Sequence, residues 1–202
     1  MEIVGSVNGA LRKVPAWPLY LVGAAFAGWQ FYLAVTGKIG VDPVNLLERE
    51  YGAMALKLII AGLLVTPLRK WTGLNLLKFR RAIGVTAFFL VLAHFMVWAL
   101  LDVGSLGRVW ADIIKRPYVT FGMGAFVLMI PLAITSNNLM LRRIGGMAWR
   151  SLHKLTYPVA ILAGVHFVWL TKVWEAEPLI YLTIILGLLA TRIRWPRRQV
   201  VA

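Results

Sequence analysis

At 202 residues, with 60% hydrophobic and 15% charged side chains, the chain lacks the polar cover that a soluble domain of this size needs. Its formal net charge of +14 would suit a nucleic-acid binder, but the cations fall in short clusters between long apolar runs, as in the loops of membrane proteins. The absence of cysteine excludes disulfides, thiolate metal sites, iron–sulfur clusters and cysteine nucleophiles.

A helix needs about 20 mostly apolar residues to cross a bilayer. Six segments meet or approach that length, at about 16–36, 52–70, 82–101, 118–136, 153–171 and 177–194. The first follows Arg12 and Lys13 and is too long for the apolar core of a signal peptide, so it reads as an uncleaved helix. Gly37, Gly40 and Pro43 follow it, Pro67 and Gly73 close the second, and Asp102 and Gly104 end the third. Pro117 suits the first turn of the fourth, Ser136, Asn137 and Asn138 end it, and Pro178 opens the sixth. Short connections predict antiparallel neighbours, and no internal repeat is visible. The expected architecture is an all-α integral membrane bundle of six transmembrane helices, one domain over residues 1–202.

Loop charge sets the orientation. One side carries Arg12, Lys13, Arg69, Lys70, Lys78, Arg80, Arg81, Arg142, Arg143, Arg150, Lys154, Arg192, Arg194, Arg197 and Arg198, with Glu2 as its one acid. Asp42, Glu48, Glu50, Asp102, Asp112, Glu175 and Glu177 lie on the other. The positive-inside rule puts the first side, and both termini, in the cytoplasm.

The three histidines, His94, His153 and His166, all fall in or at the end of a span. A histidine in hydrocarbon needs a partner or a function, and a hydrogen bond between helices is the plain alternative. Depth makes two of them specific. His94 and His166 lie on the third and fifth helices, both running outward, at about 18–20 Å from the cytoplasmic edge by helix rise. Two imidazoles at one depth can clamp a haem iron from both faces, and such ligation favours electron transfer over chemistry at iron. His153 stands about 20 Å deeper toward the cytoplasm. In a straight helix it is off the face of His166, and Pro158 between them can bend or re-phase the chain. His153 as an inner cofactor ligand and His153 as an interfacial side chain fit the spacing equally. Zinc on three histidines requires His153 much closer to the others, and a proton relay would not require matched depth.

Gly122 and Gly124 mimic the start of a dinucleotide loop but sit mid-span, where small residues serve helix packing. No phosphate loop or nicotinamide fold is present. Arg80 and Arg81 precede the His94 helix, and Arg150 lies about one turn before His153. These cations suit haem propionates, a flavin phosphate or anionic lipid, with orientation alone as the plainer reading.

Several stretches together resemble a known family. They are Gly40-Val41-Asp42-Pro43, Ala55-Leu56-Lys57 through Thr66-Pro67-Leu68, Arg80-Arg81 with Gly84 ahead of Leu92-Ala93-His94, Arg116-Pro117-Tyr118, Thr135-Ser136, Arg142 to Gly145, Trp149 to Tyr157, His166, and Pro178-Leu179-Ile180-Tyr181. The chain resembles the haem-binding membrane subunits of periplasmic methionine sulfoxide reductase systems (the MsrQ or YedZ family), within the ferric-reductase-like transmembrane group. The resemblance implies a multi-pass protein of the bacterial inner membrane. It would pass electrons from the quinone pool to a separate periplasmic molybdenum-cofactor reductase that repairs oxidised methionine. It implies haem b and FMN as cofactors, with His94, His153 and His166 as haem ligands. Related oxidases carry two histidines, 13 or 14 residues apart, on each of two helices; here the third helix has only His94, with Arg80 fourteen residues earlier. An inner haem would then have His153 and a ligand other than histidine, or the site would hold another group. The alternatives are a ferric reductase or oxidase using the same haem, and a small transporter or proton channel with structural histidines. The first lacks its flavin–nicotinamide domain, and the second lacks further ionisable groups mid-span.

Overall fold

The computed structural model describes residues 2–171 and 174–193. Lys172, Arg194, Arg197 and Arg198, and the expected end of the sixth span, lie outside the described residues. Ten α-helices are described: α1 (Glu2–Lys13), α2 (Pro18–Val35), α3 (Pro43–Thr72), α4 (Arg80–Met96), α5 (Leu106–Lys115), α6 (Pro117–Ile134), α7 (Asn138–Ile144), α8 (Gly146–Leu152), α9 (Thr156–Leu170) and α10 (Ala176–Ala190). A 3₁₀ turn (Leu77–Phe79) leads into α4 and another (His153–Leu155) into α9, while a π-helical stretch (Val97–Val103) continues α4. There is no strand among the described residues.

The six expected spans correspond to α2, α3, α4, α6, α9 and α10. Four segments are long and apolar enough to cross a membrane: Pro18–Val35, Pro43–Thr72, Leu77–Val103 and Pro117–Ile134. The helices α9 and α10 have 15 residues each, about 22 Å of rise, and fall short of that length. The helix α2 buries no residue, and Leu21, Val22, Trp29 and Phe31 on it are exposed, as lipid-facing side chains are.

Most turn signals act as the sequence predicts. Gly73 and Gly104 terminate their helices in the left-handed conformation (φ +78° and +67°), which glycine adopts without strain. Asp42 caps α3 by accepting from the Asn45 amide, with Pro43 at the first helical position. Pro67 departs from expectation, since it lies inside α3 rather than closing it. Proline has no N–H, so the carbonyl of Leu63, four residues earlier, loses its helical donor. Arg192, just past α10, fills that vacancy: its Nη2 donates to the Leu63 carbonyl at 2.6 Å and its Nη1 to the Tyr157 hydroxyl at 2.9 Å. The proline-interrupted turn of α3 is thereby stapled to α9 and to the end of α10.

Four short helices were not anticipated. In α5, apolar residues recur at Leu106, Val109, Trp110, Ile113 and Ile114, a helical period too short to register as a span. The helix α1 packs on the turn between α3 and α4, where Asn8 donates to the Gly73 carbonyl and accepts from the Asn75 amide. The helices α7 and α8 fill the connection between α6 and α9, with Asn137 capping α7.

The main core lies in the half of the bundle that loop charge predicts to be the inner one, where Leu56, Ile59 and Leu63 of α3 meet Ala87, Met129, Val159, Ala160 and Ile185 from α4, α6, α9 and α10. A second cluster, Leu47, Tyr51, Ala55, Leu90 and Val97, docks α2 through Phe26 and Ala27. The Tyr51 hydroxyl donates to the Ala27 carbonyl at 2.7 Å. Replacing Arg192 with Met should remove both staple bonds and orphan the Leu63 carbonyl. Unfolding in detergent should show a loss of about 1–3 kcal/mol.

Candidate functional site

His94 on α4 and His166 on α9 face each other across the outer half of the bundle, their ring centres 6.2 Å apart and their planes at 78°. His94 Nδ1 lies 2.9 Å from the carbonyl oxygen of Glu48, and His166 Nδ1 lies 2.8 Å from that of Tyr118. A carbonyl only accepts, so each Nδ1 carries the proton and donates, and each Nε2 keeps a free lone pair.

The two contacts repeat one device. Glu48 stands four residues before Gly52 on α3, and Tyr118 four residues before Gly122 on α6. In an α-helix the carbonyl of residue i accepts the amide of residue i+4, so each oxygen serves a glycine amide with one lone pair and a histidine with the other. The ring reaches that carbonyl by lying over the glycine. A Cβ at Gly52 would meet His94 Nδ1 at 3.1 Å, and one at Gly122 would meet His166 Nδ1 at 2.9 Å. The pairs α3/α4 and α6/α9 therefore present their histidines in the same way, a structural repeat that the sequence hides. Gly122, read from sequence as a packing glycine, is the seat of a histidine.

Between the histidines lies a cavity of about 340 Å³, walled by α3, α4, α6 and α9. Its outer rim carries Glu48, Arg49, Glu50, Glu175 and Glu177, and its flanks carry Phe95, Trp98, Phe126 and Phe167. An iron bound to two imidazoles at about 2 Å sets their ring centres about 6.3 Å apart. The observed 6.2 Å, the free Nε2 lone pairs and the apolar flanks fit a bis-imidazole haem. Among the described residues no three His, Cys, Asp or Glu side chains gather as a metal site, which leaves zinc on three histidines without support.

His153 is not part of this pair. It occupies a 3₁₀ turn ahead of α9, and Pro158 lies in the first turn of α9, so the turn supplies the re-phasing expected of the proline. Its ring stacks on Trp149 at 3.8 Å, and its Nε2 lies 3.2 Å from the Thr135 hydroxyl. That hydroxyl donates to the Pro131 carbonyl, so it accepts from His153, and Trp149 Nε1 donates to the Thr135 carbonyl. His153, Trp149 and Thr135 thus form a closed corner between α6, α8 and α9. Arg80 and Arg81 are the cations whose fields reach His153, and Arg81 also donates to the Asn138 side chain at 2.7 Å. Arg150 is exposed and folds back over Gly146, so the expected pairing with His153 is replaced by Arg80 and Arg81. Arg192, counted from sequence only for orientation, joins this inner cationic group beside Arg80. Its signal was Pro67, which frees the carbonyl that Arg192 takes.

Residues 51–164 match the family described as ferric reductase like transmembrane component. Among curated proteins, the protein-methionine-sulfoxide reductase heme-binding subunit MsrQ of Brucella ovis is 45% identical over 181 residues, covering 89% of this chain and 82% of the relative. The proteins of the same name from Brucella suis and Brucella melitensis match to the same extent. No solved structure matches the chain.

A methyl group at either seat should push its histidine off the carbonyl. Gly122→Ala, with the closer contact, should weaken metal-centre retention by about 10–100-fold, the range typical of lost second-shell contacts, and Gly52→Ala should do so less. Haem titration of the apo-protein, followed by absorbance, reads both.

Proposed function

We propose that this chain, which belongs to the ferric-reductase-like transmembrane family and within it to the MsrQ haem-binding subunits, carries electrons across the membrane on haem b. The electrons pass to a separate periplasmic methionine sulfoxide reductase. The observation that carries this reading is the His94–His166 pair, with iron-compatible spacing and both Nδ1 protons tied to backbone. Haem held by His94 and His166 would supply a one-electron couple, which suits electron transfer rather than substrate chemistry at iron.

The protein's own residues do the rest. The carbonyls of Glu48 and Tyr118 fix the tautomer and rotation of each ring, so little has to rearrange as the charge at the centre changes. Phe95, Trp98, Phe126 and Phe167 keep water from the flanks. The acidic rim of Glu48, Glu50, Glu175 and Glu177 stands on the periplasmic side in the orientation given by loop charge. Both termini are then cytoplasmic, α2, α3, α4, α6, α9 and α10 all cross, and the bilayer is the bacterial inner membrane.

The inner end is assigned to electron entry from the quinone pool, with FMN, implied by the family resemblance, held by its phosphate among Arg80, Arg81 and Arg150. Two observations support an anion there. Arg80 and Arg192 lie close enough to repel each other, and Arg192 Nε is buried without a partner among the described residues. His153 belongs to this inner site, with its Nε2 donating to Thr135, and one haem per chain is assigned to the His94–His166 pair. The molybdenum cofactor belongs to the partner and not to this chain.

The purified protein should show a Soret band that shifts on reduction. His94→Ala and His166→Ala should each abolish it, whereas His153→Ala should leave the haem-to-protein ratio unchanged. Unchanged spectra in the first two variants would refute the pairing. Planes at 78° also predict a strongly anisotropic low-spin ferric signal by electron paramagnetic resonance. A rhombic signal typical of parallel imidazoles would contradict the ring geometry.

A further inference from the structure

One charged side chain on the cavity wall stands apart from the others. On α3, Arg49, Ala53 and Lys57 recur every four residues and form one stripe down the wall. Arg49 sits at the outer rim among Glu48, Glu50, Glu175 and Glu177. Lys57 lies five residues inward of Gly52, about 7.5 Å along the helix, on the far side of the histidine pair from that rim. There the wall is apolar, made by Ile59, Val91, Phe126 and Met129 among others. Lys57 is the one charged wall residue inward of the histidines among the described residues.

An ammonium at that depth in a bilayer is expensive unless it has an anion or reaches water. Among the described residues the one ion pair joins Arg116 to Asp112, far along the chain from Lys57. Its side chain is exposed and lines the cavity, so it is free to meet a group seated inside. Haem b carries two propionates on one edge, and a porphyrin held between His94 and His166 must bring their charge to some part of this wall.

We propose that Lys57 is the counter-ion of one haem propionate, which fixes how the porphyrin is turned about the His–His axis. The proposal rests on the haem reading above. It also explains how a lysine is accommodated on a membrane helix whose other wall residues at that level are hydrocarbon.

The test uses full-length protein stripped of haem and reconstituted with haem b or with its dimethyl ester, which lacks the propionate charge. Lys57→Gln should lower the reduction midpoint of the haem b form, since a cation near the porphyrin favours the reduced state, and Lys57→Arg should restore it. In the ester form the same substitution should have little effect, because without a propionate nothing holds the exposed ammonium against the porphyrin. An equal shift in both porphyrins, or no shift in either, would overturn the pairing while leaving the haem reading intact. If Lys57→Gln retains no haem, the wild type decides: weaker retention of the ester than of haem b supports the pairing, and equal retention overturns it. Failure of the wild type to take up either porphyrin would refute the haem reading itself.

Discussion

A helix carbonyl that accepts a second hydrogen bond, from a histidine ring laid over a glycine, is the contact on which the outer half of this bundle depends. Inside a bilayer no water satisfies a buried imidazole N–H, and the backbone carbonyls are already committed to their own helices. The second lone pair of a carbonyl is the one acceptor left, and a side chain at the position above it would block access. Glycine at positions 52 and 122 removes that obstacle on α3 and α6, and His94 and His166 take the Glu48 and Tyr118 carbonyls. The same bond that satisfies Nδ1 frees Nε2, so the demands of the membrane and of metal ligation are met by one arrangement.

The inner half is organised by the reverse situation, a carbonyl that has lost its donor. Pro67 leaves Leu63 unsatisfied within α3, and Arg192 arrives from beyond α10 to fill it while also engaging Tyr157 of α9. An arginine thus becomes a structural brace between three helices. Its neighbour Arg80 lies close enough for the two guanidinium groups to repel each other, which leaves positive potential at that end of the bundle. The two ends of the molecule therefore differ in sign, with carboxylates around the outer cavity and guanidinium groups around the inner corner of His153, Trp149 and Thr135. Charge of that polarity suits anionic donors on one side and a cationic or neutral docking face on the other.

Much of this was legible in the residues. Apart from the start of α3, apolar runs and glycine or proline punctuation located the ends of the long helices to within a few residues, because hydrocarbon length and backbone conformation are local constraints. The matched depth of His94 and His166 followed from helix rise alone. Three things were not legible. The helix α5 is too short to carry a span signal, although its period was present at Leu106, Val109 and Trp110. The helix α3 begins at Pro43, nine residues before the apolar run, because Glu48, Arg49 and Glu50 are helical without being apolar. The 3₁₀ turn at His153 re-phases the chain through packing against Trp149 and Thr135, which no spacing rule encodes.

Gly122 marks the boundary between the two kinds of information. By itself the sequence determined that a glycine stands mid-span on a membrane helix and that two histidines share a depth, since composition and rise are properties of one segment at a time. Only the tertiary structure decided that Gly122 lies beneath His166 and Gly52 beneath His94, and that the two imidazoles close to 6.2 Å. Those facts depend on the rotation of each helix about its own axis against its neighbour. That rotation is set by the fit of many side chains across four helices, and no single segment carries it.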